Sequence, residues 1–121
     1  MNMIANMPAN EMRHHLSEQV RLAEREWAAC EDNASRLEEG RSILMAEMKI
    51  NLVEKKIAKS ASAAEDMARS SDQWRGYVRK MHDARRHAND ARAEWRAVER
   101  RYWASVSDEA SERQQLRMTS R

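Results

Sequence analysis

The sequence predicts an all-α fold, an elongated helical bundle or coiled coil of about three helices. Three observations carry this. Ala, Glu, Lys, Leu and Arg make up 61 of the 121 residues, the composition of long helices. Turn and strand chemistry is scarce: two Gly, one Pro, no Phe, and ten residues that are Val, Ile or Thr, which excludes a sandwich, a barrel or a doubly wound sheet. Apolar and small residues also recur at alternating steps of three and four, the spacing of a helical seam.

Residues 1–10 are rich in Asn and Met and hold Pro8; they are expected to be a disordered start. A single helical domain over 11–118 follows, with a frayed end at 119–121. The first helix is expected over 11–39. Met12 and Leu16 lead into the seam Val20, Ala23, Trp27, Cys30, Ala34 and Leu37. Gly40 is then expected to end it, because Gly is favoured just past a helix terminus.

The second helix is expected over 42–69. Its seam, Ile43, Ala46, Ile50, Val53 and Ile57, is displaced from the first and widened by Leu44, Met48 and Leu52. As the most apolar part of the chain, 43–57 is expected to be the centre of the core or of an oligomer seam. Ser70 and Gln73 have capping-box spacing and open a third helix over 71–118. Its stripe is Trp74, Val78, Met81, Ala84, Ala88, Ala91, Trp95, Val98 and Tyr102. Gly76 lies in its first turns, at a cost of roughly 1 kcal/mol relative to Ala. A lone chain with 35% charged residues and 5% aromatics buries little apolar surface, so a homo-oligomer is expected.

The net charge of +2 is unevenly spread. Residues 1–40 carry 4 basic and 8 acidic side chains, 41–70 carry 6 and 4, and 71–121 carry 12 and 8. One or two positions beyond the last apolar stripe lie Arg75, Arg79, His82, Arg86, Asn89, Ala93, Arg96 and Arg100, with no acid among them. Asp83, Asp90 and Glu94 are expected to fall toward another side. A row of guanidinium groups bonds phosphates bidentately and can follow a nucleic-acid backbone. The other reading is a solvated face whose arginines pair with the acids of 18–39. Exposure of Arg75, Arg79, Arg86, Arg96 and Arg100 together separates the two. Trp74, Trp95 and Tyr102 are expected to pack inward, and Trp103, off the stripe, to be exposed.

Catalysis has no foothold: there is no HExxH, no Gly-rich phosphate loop and no nucleophile elbow. His14 and Glu18 share a face, but two ligands are not a metal site. Cys30 is the only cysteine and reads as a small seam hydrophobe. The expectation is a non-enzyme with no cofactor, metal or small-molecule substrate. The first ten residues carry no Lys or Arg, unlike a secretory signal, and no stretch approaches the ~20 apolar residues of a membrane span. The cytoplasm of a bacterial host is the expected compartment.

Trp74-Arg75-Gly76 spells W-x-G, which in WXG-type secreted helical hairpins lies in the turn between two helices. A secreted dimer of that type is a third reading. The segments Ser71-Asp72-Gln73-Trp74-Arg75-Gly76-Tyr77, Ala84-Arg85, Ala88, Ala91 and Glu109 to Met118 resemble small helical proteins of tailed-bacteriophage recombination modules. More remotely, the layout is similar to the recombination mediators of T-even phages. The resemblance covers roughly residues 35–118 and brings no catalytic residues. It implies scaffolding or DNA handling, with single-stranded DNA or a DNA-annealing protein as partner. The alternative is a purely structural coiled-coil adaptor without nucleic acid.

Overall fold

The computed structural model describes residues 7–119. It is all-α, with α1 (Ala9–Glu54), α2 (Ala61–Arg69), α3 (Asp72–Thr119) and no strand among the described residues. Residues 1–6 of the expected disordered start, and 120–121 of the expected frayed end, lie outside the described residues; Ala9 and Asn10 are already helical. None of the three helices is long and apolar enough to cross a membrane.

The expected break at Gly40 is absent: α1 runs through it. The reason is a contact 37 residues away. The Tyr77 hydroxyl on α3 donates a hydrogen bond to the Leu37 carbonyl of α1. A Cβ at Gly40 would lie 2.6 Å from that hydroxyl oxygen. Gly40 is therefore the bare patch that lets Tyr77 reach the α1 backbone, not a helix stop.

α1 ends instead at a Schellman turn. Lys56 adopts the left-handed conformation (φ 58°). The Lys56 N–H bonds the Val53 carbonyl at 3.0 Å and the Ile57 N–H bonds the Leu52 carbonyl at 3.0 Å, the paired bonds of that motif. Ser60 then caps α2, its hydroxyl accepting from the Ala63 N–H at 3.1 Å. The α3 cap is Ser71, one residue beyond the expected Ser70. Ser71 Oγ accepts from the Trp74 N–H at 3.2 Å and donates to the Ala68 carbonyl, while Ser70 closes α2 by bonding Asp66. Asp72 in the first turn of α3 suits the positive end of the helix dipole.

The chain divides into two compact units, Met1–Ala28 with Asp90–Arg121, and Ala29–Asn89. In the first unit α1 and α3 run antiparallel. Trp27 stacks on Trp95 with ring centroids 5.0 Å apart and planes 13° from parallel. Val98 is buried, and Met12, Leu16, Val20, Ala23, Ala91 and Tyr102 are half-buried. The Trp95 Nε1 is buried with no hydrogen-bond partner. Arg13 Nη1 lies 3.1 Å from Glu109 Oε2, an ion pair without the alignment of a hydrogen bond.

In the second unit the centre is Ala34, Ala84 and Ala88, flanked by Cys30 and Leu37. Met45, Ala58, Ala64, Ala68 and Met81 are buried too. Small side chains let the helices approach closely but bury little area each, so the core is thin. The seam of residues 20–37 continues in phase past Gly40, and Leu44, Met45, Met48 and Leu52 face inward. Consequently Ile43, Ala46, Ile50, Val53 and Ile57, expected at the centre of the core, are all exposed. An unbroken helix keeps one phase, and Ile43, Ala46, Ile50 and Val53 occupy its opposite side, while Ile57 lies in the turn after α1.

Candidate nucleic-acid interface

All eight positions of the arginine stripe, from Arg75 to Arg100, are exposed. The cause is local: the buried or half-buried seam residues of α3 lie one or two positions before them, so the stripe is turned outward. In the second unit Arg75, Arg79 and Arg86 line one shallow groove of about 510 Å³. His82 joins them, Arg69 reaches it from the end of α2, and Trp74 and Val78, both half-buried, supply its apolar lining. Arg96 and Arg100 belong to the first unit. There the Arg96 guanidinium lies 5.1 Å from the centre of the Trp95 ring, a cation–π contact.

The groove is basic but not free of acid. Asp83, expected on another side, is part of its lining. Its carboxylate is 3.8 Å from Arg86 Nη2, a long contact between exposed groups that holds the arginine weakly. Arg69 Nη2 is 3.4 Å from Glu65. Among the described residues Arg75, Arg79 and Arg100 form no ion pair.

Sequence reasoning missed Arg85, which pairs with acids of α1 where the stripe arginines do not. It is half-buried beside the seam of the second unit. It donates from Nη1 to Glu31 at 2.6 Å, and from Nη2 and Nε to the two oxygens of Glu38 at 2.6 and 3.0 Å. The hydrogen bond from Arg85 holds the Glu38 carboxyl below its ordinary 4.5, and the bonds to Glu38 and Glu31 push the guanidinium of Arg85 up. The signal was present: Glu31 and Glu38 are seven residues apart on one face of α1, and Arg85 directly follows the seam residue Ala84. Glu18 pairs with Arg21 and Asp32 with Arg36, each within α1. Glu18, Glu31, Asp32 and Glu38 thus pair with arginines outside the stripe.

No family model matches the chain, and no similar curated protein or solved structure is found. Trp74-Arg75-Gly76 lies inside the first turns of α3 rather than in a turn between helices. Trp103 is 59% exposed, with its ring edge-on to Tyr102 at 5.2 Å. A larger groove in the first unit, about 680 Å³, mixes Arg13, His14 and His15 with Glu11 and Glu18 and has no charge preference. Among the described residues no three His, Cys, Asp or Glu side chains gather as metal ligands would.

Proposed function

We propose that this protein is a non-enzymatic accessory of phage-type DNA recombination that binds the phosphate backbone of single-stranded DNA through the arginines of α3. One observation supports the reading most: Arg75, Arg79 and Arg86 share an exposed groove while the neighbouring α1 acids Glu31 and Glu38 are occupied by Arg85. Cations with no strong internal partner are available to a polyanion. Along the helix axis Arg75 and Arg79 are about 6 Å apart and Arg79 and Arg86 about 10 Å, at ~1.5 Å per residue. These are two to three times the ~3.4 Å rise per nucleotide of a stacked strand. The half-buried Trp74 in the same groove offers a ring edge or face to an unpaired base, which favours a single strand over a duplex.

The test is the salt dependence of binding to a labelled oligothymidylate, followed by fluorescence anisotropy. Replacing Arg75, Arg79 and Arg86 together by Ala is expected to lower the salt slope by about 2, at roughly 0.7 per lost phosphate contact. Affinity falls alike for all sequences, because phosphate contacts carry no sequence information. No binding by the unaltered protein at low salt, or an unchanged slope in the triple variant, overturns the reading. The reading as a coiled-coil adaptor has its own support in the exposed apolar stripe of α1, Ile43, Ile50 and Val53.

A further inference from the structure

Beyond nucleic-acid binding, we propose that the outer face of α1, carrying Ile43, Ala46, Ile50 and Val53, is a dimerisation seam that pairs in parallel with the same face of a second copy. Ile43, Ile50 and Val53 are 61%, 57% and 44% exposed, and Ala46 is exposed as well. At ~100° per residue they lie roughly opposite Leu44, Met45, Met48 and Leu52, which face inward in the same unit. The steps of three, four and three fix the register: Ile43 and Ile50 take a positions, Ala46 and Val53 take d positions. β-branched residues at a favour two strands. Ile57, which continues the spacing in sequence, lies in the turn after α1 and is outside the helical seam.

Charge decides the occupant and its direction. Lys49 and Glu54 flank the stripe, and both line the groove of about 490 Å³ beside Ile50 and Val53. Neither forms an ion pair among the described residues. Lys49 is a g position and Glu54 the e position five residues on. In a parallel pair each Lys49 faces Glu54 of the other copy, twice by symmetry. An antiparallel pair sets e against e and g against g, bringing Glu47 and Glu54 toward glutamates and Lys49 toward lysine. The face is thus complementary to itself in one direction only. Three large side chains are few against the ~800 Å² per partner of a standard interface, so the dimer forms in the micromolar range.

Sedimentation equilibrium of the full chain between about 1 and 100 µM tests this. The expected result is a monomer–dimer equilibrium that Ile50→Asp abolishes, with the helical circular-dichroism signal of dilute protein unchanged. Lys49→Glu is expected to raise Kd about three- to tenfold, and Lys49→Glu with Glu54→Lys to restore it. Ala46→Cys is expected to form a same-site disulfide dimer on oxidation, with unaltered protein as the control for Cys30. A monomer at 100 µM, a dimer indifferent to Ile50→Asp, or loss of fold by Ile50→Asp in dilute protein overturns the proposal. A dimer that Ala46→Cys does not cross-link overturns the parallel arrangement.

Discussion

Replacing Gly40 by Ala has a sign that depends on residue 77. In the interior of a helix the substitution gains about 1 kcal/mol of propensity. Here the new Cβ falls 2.6 Å from the Tyr77 hydroxyl oxygen, well inside contact distance, so the ring must withdraw. Withdrawal breaks the bond to the Leu37 carbonyl, worth about 1 kcal/mol, and disturbs packing by a further ~1–2 kcal/mol. Gly40→Ala alone is therefore expected to destabilise by about 1–2 kcal/mol. Tyr77→Phe removes the clashing atom; the next nearest, Cζ, is at 3.8 Å, an ordinary contact. In that background Gly40→Ala is expected to stabilise by about 0.5–1 kcal/mol. The coupling energy is then about 2 kcal/mol, readable from urea or thermal unfolding followed by helical circular dichroism. Gly76 is the control: nothing lies within 4 Å of a Cβ there, so Gly76→Ala gains in both backgrounds. Equal stabilisation by Gly40→Ala in both backgrounds would show that Tyr77 does not reach α1 at this point. Equal destabilisation would restore the helix terminus that the sequence suggests at Gly40.

Lys56→Gly is expected to stabilise by about 1 kcal/mol, because a residue with a Cβ is held at φ 58° in the turn that closes α1; a loss of stability would relocate that terminus. Arg85→Ala is expected to change the acid limb of stability. Glu38 titrates below its ordinary 4.5 when folded, so its contribution is present above that value and lost as pH falls below it. Melting temperature measured from pH 6 to 2 should fall less steeply in the variant; identical slopes would show that Arg85 does not hold Glu38.

Much of the fold was legible because helical seams repeat. Each seam residue assigned from Val20 to Leu37 and from Trp74 to Tyr102 is buried or half-buried, and Trp103 is exposed as expected. Trp27 and Trp95, assigned to separate seams, stack on one another. Legibility failed where the deciding partner is distant or the local signal is absent. Gly40 looks like a stop until Tyr77 is seen beside it. The true end of α1 uses Lys56, a residue type that does not advertise a left-handed turn. The misplaced stop reset the phase, and that reset turned an exposed stripe into an expected core. At the candidate site, the exposure of the arginines followed from the seam, whereas the capture of Glu31 and Glu38 by Arg85 needed the pairing of α1 with α3. Asp83 entered the groove because residues near the edge of a stripe are not sorted by periodicity alone.

Among the described residues Arg75, Arg79 and Arg86 have no close internal partner, Arg86 being 3.8 Å from Asp83, while Arg85 is committed to Glu31 and Glu38 of α1. Arginine side-chain NMR measures this directly, with Nε–Hε signals followed as oligothymidylate is added at low salt. Shifts are expected at Arg75, Arg79 and Arg86, with a stationary Arg85 signal. Shifts at Arg85 with the other three unmoved, or no shift anywhere, would contradict it.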